Sequence, residues 1–275
     1  MHTPPVVLSI AGYDPSSGAG ITADIKTAAA CGCYAVTCIT ALTVQSTQGV
    51  FGVQPLDPSL VKATLQRLAE DLPLSAVRLG MLGSAGVAAA VVEFLQEQHL
   101  QNIVLDPVIR SSSGAELLDP PGQEFLRATL LPWCDLITPN VDEAAILAGT
   151  GPIPTQAPAG DLLPNLRLLA GKLHGLGCRG VVITGGHLAE VNDYLSYRRE
   201  DGPVIERLFP GQKLDSRSTH GTGCAFAMAV ACSLARGYEL PDAVLHAKEF
   251  VLAAIESAYP LGKGVGPINH MFGIE

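Results

Sequence analysis

The chain of 275 residues carries 26 Asp and Glu against 17 Lys and Arg, a formal net charge of −9, and 48% of it is apolar. That balance excludes a disordered chain, which lacks the apolar surface to offset chain entropy, and a broad nucleic-acid surface, which needs basic groups to neutralise phosphates. An anionic ligand stays possible, because backbone N–H groups can bind phosphate within an acidic protein.

Short apolar runs alternate with longer amphipathic ones, as a parallel sheet covered by helices requires. Val6–Ala11 reads as a buried strand, followed by a Gly/Ser/Pro-rich loop, Gly12–Gly20, and a helix over Ala23–Cys31. Tyr34–Val44 is the next strand, Val50–Leu56 a short edge strand, and Asp57-Pro58 starts a helix that runs to about Ala69. Ala76–Gly80 reads as a strand, Gly86–Gln98 as a helix, and Asn102–Asp106 as a strand ending on a carboxylate. Leu136–Thr138 stops at Pro139, and Asn140 caps a helix that reaches Ala148. Gly151–Gly160 is a surface connection, and Leu162–His174 is helical. Gly180–Thr184, Asp193–Tyr197 and Val204–Phe209 read as strands that pair partly antiparallel, before two helices over Cys224–Ala235 and Asp242–Ser257.

Seven cysteines, with no CxxC pair, argue against a disulfide framework or a structural zinc site. Most read as small buried hydrophobes, with Cys224 set apart. No basic segment followed by an apolar run and cleavage site opens the chain, and no apolar stretch reaches membrane-spanning length. A cytoplasmic protein with no membrane or nucleic-acid partner is therefore expected.

Three constellations carry chemistry. In Ser218-Thr219-His220-Gly221-Thr222-Gly223-Cys224 the glycines let backbone N–H groups approach a ligand, and the Ala-rich run behind them is a helix whose N-terminus favours an anion. Cys224, at the helix entrance, is expected to have its thiol pKa lowered by the dipole. The alternative is a Gly-rich turn into a core helix with a buried Cys. The second constellation is the loop Gly12–Gly20 after the first strand, where open α/β folds bind ligands, with Asp24 one turn into the next helix. It has no GK[ST] and no GxGxxG, so neither a Walker A loop nor a dinucleotide fingerprint is present. The third is Asp106, at a strand end, with Asn140 and Glu143 one helical turn apart. Oxygen ligands from different strand ends suit Mg²⁺, although Asn140 can be only a cap and Glu143 only a first-turn anion.

These pieces in order resemble the hydroxymethylpyrimidine/phosphomethylpyrimidine kinases of thiamine biosynthesis, in the ribokinase-like superfamily. The resemblance runs nearly end to end, through Leu8–Thr27, Ile39–Val50, Arg78–Leu82, Val104–Gly114, Leu136–Ala144, Val181–His187, Ser218–Cys224 and Gly262–His270. It implies a single domain, 1–275, with a three-layer α/β fold in which helices flank both faces of a mostly parallel sheet. It further implies transfer of the γ-phosphoryl of ATP, with Mg²⁺, first to the hydroxymethyl of 4-amino-5-hydroxymethyl-2-methylpyrimidine and then to the phosphate of that product.

By carry-over, Gly12, Ala19, Asp24, Gln45, Met81, Val108 and Cys224 line the pyrimidine pocket, with Asp24 and Gln45 reading the aminopyrimidine edge. Asp106 and Glu143 are the implied metal ligands. Asn140, Thr184, Gly186, Thr219 and Lys248 fall on the nucleotide side. Gly221, Thr222 and Gly223 neutralise the moving phosphoryl, and Cys224 is the candidate base, so that Cys224→Ala is expected to lower kcat by roughly 10²-fold or more. Two positions depart from the family: Tyr13 stands where a small residue, usually Ser, is common, and Thr184 where Lys is common. The family is commonly dimeric, which makes a homodimer the expected state, with an apolar surface strand as its face. The competing readings are a pyridoxal kinase and a non-catalytic pyrimidine-binding regulator on the same fold.

Overall fold

The structure is a computed structural model that describes residues 3–111, 114–153, 159–186, 188, 192–199 and 202–274. Its strands are β1 Val6–Tyr13, β2 Tyr34–Ser46, β3 Gly49–Pro55, β4 Leu74–Leu79, β5 Ile103–Leu105, β6 Leu136–Ile137, β7 Gly180–Ile183, β8 Asp193–Arg198 and β9 Val204–Phe209. The helices are α1 Gly20–Ala30, α2 Pro58–Asp71, α3 Ala85–Gln98, α4 Pro120–Phe125, α5 Val141–Leu147, α6 Ala159–Gly175, α7 Thr222–Ala235 and α8 Leu240–Glu256. The strands form one sheet in the order β3-β2-β1-β4-β5-β6-β7-β8-β9. The six from β2 to β7 in that order run parallel, while β3, β8 and β9 pair antiparallel at the edges.

Period-two alternation divides the central strands between two cores. β1 sends Val6, Leu8 and Ile10 to a core shared with α2, α3, α5 and α6, and Val7 to a core shared with α1, α7 and α8. β5 repeats this with Ile103 and Leu105 against Val104, and β7 with Val181 and Ile183 against Val182. Each such fully buried aliphatic contributes about 1.5–3 kcal/mol relative to exposure. α7 is buried without a break from Ala225 to Ser233, because the sheet covers one side of it and α8 the other. The three-layer arrangement expected from the sequence is present.

The same alternation places Ser9 of β1 and Arg78 of β4 on the face covered by α1 and α7. After β1 the sheet grows outward through β2, and with β4 it resumes on the other side. The carboxyl ends of β1 and β4 therefore flank a topological switch point, where open α/β sheets bind ligands.

Two elements differ from expectation. α1 begins at Gly20, three residues early, so the Gly-rich loop feeds straight into the helix. α4 and the helical turns over 126–133 were not foreseen, because Pro120-Pro121-Gly122 reads as a breaker. Here Asp119 caps the segment, its Oδ1 accepting from Gly122 N at 2.8 Å, and proline occupies the first helical positions. Of the stretches singled out in the sequence, residues 154–158 of the Gly151–Gly160 connection, Ser112, Ser113 and His187 lie outside the described residues.

Candidate active site

Asp14 organises the loop after β1. Its Oδ1 accepts from the Ser16 amide at 2.8 Å and the Ser16 hydroxyl at 2.7 Å, while its Oδ2 accepts from the amides of Gly18 and Ala19 at 3.2 and 2.9 Å. His220 Nε2 donates to the same Oδ2 at 2.8 Å, joining this loop to the Gly-rich segment 206 residues later. Burial raises the Asp14 carboxyl, but the hydrogen bonds from His220 and Ser16 outweigh it and hold it below the usual range. Neither residue was a sequence candidate. The Asp14-Pro15-Ser16 turn was readable, but the long-range pairing with His220 was not.

Beneath the loop lies a buried charge cluster. Arg78 is fully buried; its Nη1 donates to Asp24 Oδ2 at 3.1 Å and its Nη2 to Asp106 Oδ2 at 2.6 Å. Ser9 Oγ donates to Asp24 Oδ2 at 2.5 Å. The Cys224 thiol sits among these charges, with Arg78 favouring its ionised form and Asp106 and Asp24 opposing it. Gly80 makes room for the guanidinium, since a Cβ there would stand 2.0 Å from Arg78 Nη1.

Asp24 is fully buried on the floor of the site: Ser9 and Arg78 both donate to its Oδ2, while its Oδ1 has no hydrogen-bond partner. Burial raises its carboxyl to about 6, against the pull of Arg78. The Cys224 thiol is pushed up to about 12, not lowered. Burial is the larger cause, Arg78 opposes it, and the charges of Asp106 and Asp24 add to it, so the helix N-terminus does not prevail.

Gly221 caps α7 with φ +85°, a left-handed conformation, and a Cβ there would fall 1.8 Å from the Gly18 carbonyl oxygen. The amides of Thr222, Gly223 and Cys224 open the helix, where an intrahelical acceptor is lacking by geometry. Gly223 is exposed and faces Asp106: a Cβ on it would lie 3.9 Å from both carboxylate oxygens. Amide donors and a carboxylate thus meet at one point, as a site for a metal-bound phosphate requires.

Asn140 and Glu143 form a capping box on α5: Asn140 Oδ1 accepts from Glu143 N at 2.9 Å, and Glu143 Oε2 accepts from Asn140 N at 3.0 Å. The structural alternative for this pair therefore holds. Burial, and next the charge of Asp106, raise the Glu143 carboxyl to about 8. Two buried carboxylates that repel each other suit a divalent cation, which would favour the ionised form of both. No group of three His, Cys, Asp or Glu among the described residues is arranged to hold a metal. A two-carboxylate site fits Mg²⁺, which keeps waters and substrate phosphates in its other positions.

Thr184 bridges to Asn140 and donates its N–H to the Pro139 carbonyl at 2.9 Å. The neighbouring Gly185 amide donates to Asp193 Oδ1 at 2.7 Å, and Lys248 Nζ pairs with Asp193 Oδ2 at 2.5 Å. Asp193, which was not a sequence candidate, so ties the Thr184–Gly186 turn to α8. Gly186 and Thr219 are exposed at the rim. On the opposite side Met81 packs with Val108, Ala41 and Leu117, and its Sδ lies 2.9 Å from where a Cβ on Gly12 would stand. Thr43 Oγ1 donates to Gln45 Oε1 at 3.1 Å, and Gln45 Nε2 lies 3.2 Å from His220 Nε2. Gln45 and His220 both line a cleft of about 70 Å³.

Residues 14–269 match the family model described as phosphomethylpyrimidine kinase. This chain belongs to that family. It is 41% identical to the hydroxymethylpyrimidine/phosphomethylpyrimidine kinase of Aquifex aeolicus, over 94% of this chain and 97% of the relative. The Salmonella typhimurium kinase of the same name is 40% identical over 96% of each chain. A bifunctional thiamine biosynthesis protein, ThiED of Geobacter sulfurreducens, is 39% identical over 98% of this chain, which spans 53% of that relative's length. Among solved structures, Bacillus subtilis pyridoxal kinase in complex with ADP superposes with a TM-score of 0.84 at 33% identity, covering 98% of each chain. Clostridium difficile phosphomethylpyrimidine kinase gives 0.77 at 34%, covering 91% of this chain and 99% of that one.

Proposed function

We propose that this kinase transfers the γ-phosphoryl of ATP to the hydroxymethyl of 4-amino-5-hydroxymethyl-2-methylpyrimidine and then to the phosphate of that product, in one domain spanning 1–275. The observation that carries the reading is the meeting of the α7 amides with Asp106 at the switch point, beside the apolar wall of Met81 and Val108. The names of the Aquifex and Salmonella relatives support the choice of substrate. ATP as donor is supported by the complexes of Staphylococcus aureus pyridoxal kinase with ADP and AMP-PCP.

In this reading the planar ring lies against the surface that Gly12, Met81 and Val108 form together, near Ala19, with Gln45 as the hydrogen-bonding side chain at its edge. The amides of Thr222 and Gly223, held by the Gly221 cap, take up charge on the moving phosphoryl, with Thr219 at the rim. Asp106 and Glu143 would hold Mg²⁺, which supplies charge neutralisation at the nucleotide phosphates. Asn140 and Thr184–Gly186 border the nucleotide, and Lys248 steadies that border through Asp193. For a loose, metaphosphate-like transfer this positioning outweighs a base, and a thiol held near 12 fits a Cys224 that stays neutral.

Pyridoxal kinase activity is the second reading, favoured by the close superposition on that enzyme from Bacillus subtilis. The experiment is turnover of Mg²⁺-ATP with the pyrimidine alcohol, its monophosphate, or pyridoxal. Turnover of both pyrimidines supports the proposal. Turnover of pyridoxal alone supports the second reading, and binding without turnover a regulator. A homodimer is also proposed, through the β2–β3 hairpin, where Leu42, Val44 and Phe51 are exposed at 44%, 68% and 70%.

A further inference from the structure

After α8 the chain returns to the cleft as a strap, Gly262-Lys263-Gly264-Val265-Gly266-Pro267. At one end the strap lies on the turn between β2 and β3. Gly264 N donates to Thr47 Oγ1 at 3.3 Å, and a Cβ on Gly264 would collide with the Thr47 carbonyl oxygen. Gly262, with φ +78°, meets the Thr47 hydroxyl in the same way. At the other end the strap pairs with the Gly-rich segment. Gly266 N donates to the Arg217 carbonyl at 3.1 Å, His220 N to the Gly266 carbonyl at 3.0 Å, and Ile268 N to the His220 carbonyl at 3.4 Å. Backbone docked this closely leaves no room for a Cβ, so glycine stands at the docked positions and a side chain at the one between them.

That side chain is Val265. It lines the cleft of about 70 Å³ together with Gln45, Val50, Ser111 and His220. Val50, the other aliphatic residue there, also packs against the cluster of Ala41, Met81 and Leu117, as Val108 does. The apolar wall of the acceptor site therefore continues into this cleft, and Val265 adds to it from the far end of the chain. An aliphatic side chain exposed at 43% on a loop is ordinary by itself. Val265 differs because both its neighbours are anchored, Gly264 to Thr47 and Gly266 to Arg217 and His220. Its isopropyl group is thus held in place before a ligand arrives, so little ordering is left to be done on binding.

We propose that Val265 is a specificity-determining residue that touches the acceptor ring and sets the size of group the cleft admits. This role rests on the reading that the acceptor lies beside Gln45, Met81 and Val108. Gln45 and His220 supply the polar side of the cleft, and Val50 and Val265 its apolar side. A planar heteroaromatic alcohol with a small alkyl substituent matches that division, its ring nitrogens toward Gln45 and its substituent toward the valines. One methylene in an apolar pocket is worth about tenfold or more in discrimination, so a fixed valine is enough to select among ring substituents. The same strap borders the phosphate site, because His220, bonded to Gly266, directly precedes the Gly221 cap of α7. Ring and phosphoryl group are then held from one stretch of backbone.

The test is isothermal titration calorimetry of the whole protein with the pyrimidine alcohol, with pyridoxal and with Mg²⁺-AMP-PCP, on the parent, Val265→Ala and Val265→Phe. Neither substitution alters a packed core, since Val265 is exposed. The acceptor that the parent binds more tightly reports the substrate class, and the variants, titrated with that acceptor, report Val265 alone. Val265→Ala should weaken acceptor binding about tenfold, the low end of what one methylene is worth in an apolar pocket. Val265→Phe should weaken it at least as much by filling the cleft, and AMP-PCP should bind all three proteins equally. Unchanged acceptor binding in both variants, an equal loss for AMP-PCP, or a parent that binds neither acceptor would overturn the proposal.

Discussion

Cys224 occupies the first turn of α7, where the helix dipole taken alone favours a thiolate. Burial, with a smaller contribution from the Asp106 and Asp24 carboxylates, outweighs the dipole and Arg78, leaving the thiol up at about 12. Removing a neutral thiol costs less than removing a base, so Cys224→Ala is now predicted to lower kcat by about tenfold or less. Steady-state kinetics at saturating ATP checks this, and a loss of 10²-fold or more would restore the base. Thr184 is partly open at the rim beside Asn140. Thr184→Lys should lower the KM for ATP, and an unchanged or higher KM would mean that this side chain does not face the phosphates. Asp106 was a candidate because it ends a strand and Glu143 because it follows a readable helix start, whereas Met81 and Val108 came only from the family resemblance. Arg78 was not, although its signal was there: a charge between Val77 and Leu79 in a buried strand has to meet opposite charge across the sheet face. The partners, Asp24 and Asp106, are 54 and 28 residues away, and no local pattern pairs them with it.

The strands were legible as elements because apolar alternation sets each one, and the edge strands because their alternation is half polar. The start of α1 was less so, since Gly18, Ala19 and Gly20 carry no helix-start signal and the loop is held by the distant His220. The Arg78 cluster ties β4 to α1 and to the end of β5, and it predicts that Arg78→Leu destabilises the fold strongly. Two buried carboxylates would lose their cation, at a cost of about 3–5 kcal/mol, the usual range for breaking a buried ion pair. Urea unfolding measures it, and a change under 1 kcal/mol would show that the cluster does not tie these elements together. The β2–β3 hairpin makes a separate prediction. Phe51→Glu should convert the proposed dimer to monomer in sedimentation without unfolding it, and an unchanged sedimentation coefficient would place the interface elsewhere or nowhere.

For the molecule as a whole, the C-terminal segment that holds His270 bridges to His220 through Pro267. His270 is 2% exposed, its Nε2 has no hydrogen-bond partner, and burial, then Lys26 and His220, lower it to about 4. Between the ordinary histidine value of about 6.5 and 4 the unfolded chain binds the proton that the folded chain refuses. The stability this histidine permits is therefore intact above 6.5 and is lost as pH falls toward 4, by at most about 3 kcal/mol. His270→Leu should flatten that fall relative to the parent in urea titrations at several pH values; parallel curves would contradict it. The central claim, two successive phosphoryl transfers in one cleft, is tested most directly by ³¹P NMR of the protein with Mg²⁺-ATP and the pyrimidine alcohol as the sole acceptor. The account predicts a monophosphate signal that rises first and then gives way to the two coupled signals of a pyrophosphate. ATP left unchanged, or a monophosphate that accumulates and is never converted, would contradict it.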